Sequence, residues 1–235
     1  MESKRIRLDR YLSVQLGINK KDVRLLLAQQ RVLVNGEIAN DIQLVIDDFT
    51  HVTCDDQVLQ NKLPCYVMMN KPVGVVSATK DDQHKTVIDL LDRADKHDLH
   101  IVGRLDLNSS GLLLLTNDGR WSRTLMSPEH KVPKLYRVTL ENPISEDYIA
   151  TFAEGMYFPF EDITTRPAGL KIISDHVAEV SLVEGRYHQI KRMFGRFRNP
   201  VIGLHRVSIG GLALDEGLVP GESRDLSEDE LQLIN

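Results

Sequence analysis

Val102-Gly103-Arg104-Leu105-Asp106-Leu107-Asn108-Ser109-Ser110-Gly111-Leu112-Leu113-Leu114-Leu115-Thr116-Asn117-Asp118-Gly119 is the stretch on which the reading of this chain turns. Four consecutive leucines bounded by turn residues predict a strand buried on both faces. The residues before it, 101–106, read as the end of another strand that delivers Arg104 and Asp106 into a polar loop. In an alternating strand those two side chains would point the same way. An aspartate there is equally at home as a turn residue or a cap.

Working outward, the 235 residues suffice for one large domain or two unequal ones, and 42% hydrophobic with 27% charged residues is ordinary for a globular protein. No apolar run reaches the ~18–20 residues that span a bilayer. The N-terminus lacks the apolar core of a signal peptide, and Cys54 and Cys65 have no metal-ligand spacing, so a reducing cytoplasm is the expected location. The net charge of −5 is unevenly spread. Residues 1–35 carry eight Lys or Arg against three acids, 185–206 carry six bases and no acid, and 212–235 carry seven acids against Arg224. Segregation of this kind leaves two basic stretches able to face phosphate.

Along the chain, Leu8, Tyr11, Leu12 and Leu16 form one helical stripe ended by Gly17. Asn19 and Asp22 suggest a capping box for a second helix, whose outer face carries Lys20, Lys21 and Arg24, with Arg31 just beyond. Asn35-Gly36 signals a hairpin, and 51–54 a further strand. Residues 58–64 read as a linker. Tyr66–Lys71 is expected to be a strand stopped by Pro72, and 86–91 a short helix. Trp121, Leu125 and Met126 suggest another helix. Lys134–Leu140 alternates so that Tyr136, Val138 and Leu140 share a face. Ser145 is read as the cap of a helix ending at Gly155, and 176–183 and 201–209 as strands. Between those two strands Ile190, Phe194 and Phe197 fall on one helical face. Strands outnumber helices after residue 65 without strict alternation, which favours an α+β fold.

The run Gly-Arg-Leu-Asp, then Ser109, then Gly-Leu-Leu-Leu-Leu-Thr-Asn-Asp-Gly resembles the catalytic motif of the RsuA-type pseudouridine synthases, which more often carry Thr where this chain has Ser109. Asn70-Lys71-Pro72-x-Gly74 resembles the turn that opens the family's synthase domain. Leu-Asp-Arg-Tyr-Leu followed by Arg-Val-Leu-Val-Asn-Gly resembles the RNA-binding module named for small-subunit ribosomal protein S-four. The resemblance implies residues 1–57 as a small alpha-L RNA-binding domain, 58–64 as linker, and 65–235 as a catalytic domain on a mixed, mainly antiparallel sheet.

It further implies Asp106 as the essential carboxylate, nucleophile or base, and Lys191 as the cation beside it, where many relatives use Arg. An adjacent cation in a closed pocket favours the ionised acid. Tyr136 would pack on the target base, Arg104 would help displace the uridine or fill its place, and Leu182 would close the pocket. Lys20, Lys21, Arg24 and Arg31 would meet RNA. The eight scattered histidines make no metal site, and isomerisation calls for no cofactor. Glu-Gly-Arg-Tyr-His-Gln-Ile-Lys-Arg-Met-Phe and the lack of a long basic C-terminal extension resemble the small-subunit branch. The expected activity is isomerisation of one uridine in 16S rRNA, within a partly assembled ribonucleoprotein, by a monomer. The rivals are a large-subunit paralogue and a non-catalytic RNA-binding assembly factor.

Overall fold

The computed structural model describes residues 5–234. The chain divides into two compact units, one up to residue 65 together with 118–120, the other comprising 66–117 and 121–235. In the first, β1 (Ile6–Arg7) pairs antiparallel with β4 (Val45–Ile46), and α1 (Leu8–Leu16) follows directly. Leu8 and Leu12 of the predicted stripe are fully buried, and Gly17 ends the helix in the left-handed region at φ 66°. Asn19 caps α2 (Lys20–Ala28) by accepting from the amides of Lys21 and Asp22. The Asp22 carboxylate returns the contact to the Asn19 side-chain amide at 2.7 Å, so the box closes between side chains rather than on the backbone.

Hairpin β2–β3 (Val32–Val34, Glu37–Ile38) turns on Asn35 and Gly36, both at positive φ as a type I′ turn requires. With β5 (Val52–Cys54) and β6 (Gln57–Gln60) it forms a four-stranded sheet in the order β3-β2-β5-β6. Strand β6 corrects the linker expectation: Asp55 and Asp56, both at positive φ, turn the chain back onto β5, and residues 58–60 are paired backbone. The composition Gln-Val-Leu-Gln hides a strand because two of its four residues are exposed and none is buried.

The second unit is built on a nine-stranded sheet. Its strands are β7 (Tyr66–Lys71), β8 (His100–Val102), β9 (Ser110–Thr116), β10 (Lys134–Leu140), β13 (Gly169–Ser174), β14 (Val177–Leu182), β15 (Val201–Ile209), β16 (Leu212–Ala213) and β17 (Ser223–Asp225). The numbering allows for a small separate hairpin, β11 (Tyr157–Phe158) and β12 (Ile163–Thr164). The order is β13-β14-β10-β15-β9-β7-β17, with β8 on β9 and β16 on β15. Every pairing is antiparallel except β15 with β9, so the α+β, mainly antiparallel sheet stands as expected. The helices are α3 (Gly119–Met126), α4 (Asp147–Glu154), α5 (Gln189–Gly195) and α6 (Glu228–Gln232).

Leu112 to Leu115 all have zero exposure, as a strand covered on both faces demands. Burying such a side chain contributes roughly 1.5–3 kcal/mol. At the head of that strand Gly111 sits at φ 103°, where a Cβ would lie 2.3 Å from the Arg206 carbonyl oxygen. Only glycine lets β9 and β15 approach there.

Three local expectations are corrected. Residues 86–91 form turns, not a helix. The Asp89 carboxylate accepts from the Thr86 amide and hydroxyl at 2.8 and 2.9 Å, and the Asp89 amide donates to the Thr86 hydroxyl at 3.2 Å. These are the contacts of a capping box, but the chain leaves the turn at Leu91 without continuing into a helix. Ser145 does not cap α4: Glu146 occupies that position, and the Ser145 hydroxyl donates to the Asp147 carboxylate. Helix α5 ends at Gly195, so Phe197 lies in the following turn, where it stacks on Tyr148 at 3.8 Å.

Candidate active site

Strand β8 stops at Val102, and Gly103, at φ 71°, turns the chain. Arg104 and Asp106 therefore come together through loop geometry and not, as expected, through strand alternation. The loop is held by its backbone. Lys71, at the end of β7 and with zero exposure, donates from Nζ to the carbonyls of Pro72, Asp106 and Ser109 at 2.9, 3.1 and 2.7 Å. Ser77 Oγ accepts from the Leu105 amide at 3.1 Å and donates to its carbonyl at 2.8 Å. The Gly74 amide donates to Leu107 O, and the Ser109 amide to Asp106 O. Burial pushes the Lys71 ammonium down to about 8; the Asp106 carboxylate opposes the fall and Arg206 adds to it.

Held this way, the Asp106 carboxylate opens into a cavity of about 580 Å³. His188 Nε2 stands 3.3 Å from Asp106 Oδ2, and Lys191 Nζ 3.8 Å from the same oxygen. Both side chains arrive with α5, Lys191 within the helix and His188 just before it at φ 49°. The Lys191 distance is that of an ion pair without a direct hydrogen bond. Tyr136, on the interior strand β10, and Leu182, at the end of the neighbouring β14, are buried and line the same cavity, as does exposed Arg104. The hydroxyl of Ser109 is buried against this cavity with no hydrogen-bond partner among the described residues.

A carboxylate fixed at a loop, a lysine beside it, and an aromatic and an aliphatic side chain side by side on one face of the sheet, all lining one cavity, are the equipment for work on a single base. A family model described as RNA pseudouridylate synthase matches residues 65–195. The chain belongs to that family. A ribosomal small subunit pseudouridine synthase A from Pseudomonas aeruginosa is 45% identical over 96% of this chain and 99% of its own length. The protein of the same description from Escherichia coli strain K12 is 41% identical over 97% of this chain and all of its own. A crystal structure of a pseudouridylate synthase superposes with a TM-score of 0.72 at 38% identity, covering 98% of this chain and 100% of that one.

Of the residues singled out for this pseudouridine synthase, Arg104, Asp106, Tyr136, Leu182 and Lys191 meet in one compartment. In the first unit the four basic residues part company. Lys21 and Arg24 are exposed and make no ion pair among the described residues. Lys20 sits 3.3 Å from the buried Asp9 carboxylate, and Arg31 is held in a two-pronged pair by Asp55 at 2.6 and 2.5 Å. Arg31 thus already has its carboxylate, which weakens the expectation that it reaches for phosphate. Sequence reading missed His188 and Lys71. The first has no periodic signal, because a left-handed residue before a helix breaks the 3.6-residue stripe. The second was legible only as part of a turn motif.

No group of three or more His, Cys, Asp or Glu side chains able to hold a metal occurs among the described residues. No helix of those residues is long and apolar enough to cross a membrane.

Proposed function

We propose that this protein isomerises one uridine of small-subunit rRNA to pseudouridine, with Asp106 as the essential carboxylate. The observation that carries the reading is the Asp106 compartment, where Lys191 and His188 face one carboxylate oxygen beside buried Tyr136 and Leu182. A uridine flipped into it would stack on Tyr136, a contact worth roughly 1–3 kcal/mol per base. Asp106 then either adds to the substrate as a nucleophile or removes a proton to start an elimination. On both routes the bond from ribose C1′ to N1 breaks, the base turns, and C1′ joins C5. The proton leaving C5 balances the one gained at N1, so atoms are conserved and no cofactor is consumed. Lys191, 3.8 Å from Asp106 Oδ2, pairs with the carboxylate and helps to place it on either route.

Full-length relatives described as small-subunit enzymes support the choice of RNA over a large-subunit paralogue. The assembled charge set supports catalysis over a purely binding role. We take the first unit to be the RNA-docking module, with Lys21 and Arg24 as its free cations. We take the enzyme to act as a cytoplasmic monomer on a partly assembled particle, because a uracil pocket alone does not choose among many uridines and bound ribosomal proteins hold one RNA shape. The test is purified protein on small-subunit and large-subunit rRNA, each naked and as assembly intermediates, followed by pseudouridine mapping. A single modified site, formed faster on intermediates, is expected. Modification confined to large-subunit rRNA overturns the substrate, and none on either RNA overturns the activity.

A further inference from the structure

A second cavity of about 410 Å³ adjoins the Asp106 compartment and shares with it the walls made by Gly103, Arg104, Tyr136 and residues 184–186. Its charges are lopsided. Arg104, Lys134, Arg166, Arg186 and Arg206 line it against one carboxylate, Glu184. That carboxylate is already engaged by Arg186 Nε at 3.1 Å, Gln189 Nε2 at 2.7 Å and the Arg166 amide at 2.9 Å. Arg206 is 3% exposed; its Nε donates to Leu112 O at 2.7 Å, but Nη2 is buried with no partner among the described residues. Lys134 is half-buried and donates to the Val132 carbonyl at 2.9 Å, and makes no ion pair among the described residues.

Two cations sunk in a cavity whose one carboxylate is engaged by other groups are costly, since each has given up water. Burial first, and then Arg206, lowers the Lys134 ammonium below its ordinary range, which is the mark of that missing partner. Across the same space Val102, Leu125, Met126 and Ile209 offer apolar wall.

We propose that this second cavity is a subsite for the nucleotide next to the target uridine, with Lys134 contacting its phosphodiester, buried Arg206 supplying field from beneath, and the apolar wall taking its ribose or base. The inference rests on the function proposed above, because it makes the occupant of the Asp106 compartment and that of this cavity neighbours in one RNA strand. The shared wall at Arg104 and Tyr136 is the natural place for the strand to pass between them.

The test is binding of the full-length protein to a nine-nucleotide single-stranded RNA with one central uridine, measured by fluorescence anisotropy from 50 to 300 mM KCl. Wild type is compared with Lys134→Gln, Lys134→Arg and the rim variant Arg166→Gln, their folding checked by thermal melts. Lys134→Gln should bind about fivefold more weakly, with its log–log salt slope reduced by about 0.7, the amount for one contact to a single strand, and Lys134→Arg should restore both. Replacing the linkage on one side of the uridine with uncharged methylphosphonate should weaken wild type similarly and leave Lys134→Gln unchanged. An unaltered slope, or additive losses, overturns the subsite. Arg166→Gln reports independently, since it is exposed: an unchanged slope there together with an unchanged slope in Lys134→Gln excludes phosphate from this cavity altogether. Pseudouridine mapping of small-subunit rRNA and its assembly intermediates treated with the same wild-type preparation separates the two readings. Modification with a Lys134-independent slope sinks the subsite alone, and a Lys134-dependent slope with no modification sinks the activity alone.

Discussion

Asp106 owes its position to neighbours that no spacing rule brings together. Its own motif is continuous and readable, from Gly103 to Gly119, and so are Tyr136 on an alternating strand and the leucines behind it. What could not be read is the far side of the carboxylate, where His188 and Lys191 arrive from more than eighty residues away at 3.3 and 3.8 Å. Resemblance supplied Lys191, and nothing supplied His188. If Lys191 serves by pairing with the carboxylate and placing it, Lys191→Met should lower kcat on small-subunit rRNA at neutral pH by roughly 10- to 100-fold, which corresponds to about 1.4–2.7 kcal/mol of transition-state stabilisation. Lys191→Arg should recover most of it. Single-turnover rates decide the matter, and a Lys191→Met rate equal to wild type would remove the ion pair from the mechanism.

At the scale of elements, β7 does more than close the sheet. A lysine reads from sequence as a surface residue, because its ammonium is rarely found without water. Here Lys71 is sealed in, and its three carbonyl partners belong to Pro72 and to a loop 35 and 38 residues further on. Lys71→Met keeps the length but takes the ammonium away from all three carbonyls, leaving Asp106 O with the Ser109 amide. It should cost roughly 3 kcal/mol or more of stability and slow turnover as the loop loosens, as urea unfolding and steady-state rates would show. Wild-type-like values in both would mean that the loop is held by Ser77 and Gly74 alone.

The C-terminal end supplies a pH-dependent element. Arg224 pairs with Asp215 at 2.6 Å and with Glu230 at 2.7 and 2.8 Å, and Ser227 and Glu230 close a capping box on α6. The Arg224 guanidinium, with the Ser227 amide, holds the Glu230 carboxyl down at about 2. A carboxyl lowered in the folded state contributes stability above its ordinary value, near 4.5, that is lost as pH falls toward 2. Glu230→Gln should therefore lower the melting temperature at pH 6 and narrow the gap to wild type as pH falls through that window. A gap that stays constant down to pH 2.5 would count against the ion pair.

For the whole molecule, the α+β class and the mainly antiparallel sheet were legible from the density of strands after residue 65. The limits of the first unit were less so, because β6 has the polar composition of a linker and is recognised only by its pairing with β5. Charge segregation was a coarser guide than it promised. Of the basic stretch 185–206, Arg186 and Arg192 pair with Glu184 and Glu161, and Arg206 is buried, so it is not a simple phosphate-facing surface. In the first unit only Lys21 and Arg24 of the four nominated cations lack an acid among the described residues. Changing both to Gln in the intact chain should reduce the salt slope of rRNA binding by about 1.4–1.8, two contacts' worth. An unchanged slope would refute the docking role.

The central claim is that the intact molecule modifies small-subunit rRNA through one carboxylate. It is tested most directly by a pseudouridine map of both rRNAs from cells lacking this gene, complemented with wild type or with Asp106→Asn. The near-isosteric amide can neither attack nor take the proton, so a single small-subunit site should vanish in the deletion, return with wild type, and stay absent with Asp106→Asn even though that variant still binds RNA within a few-fold. Return of the modification with Asp106→Asn would contradict the account.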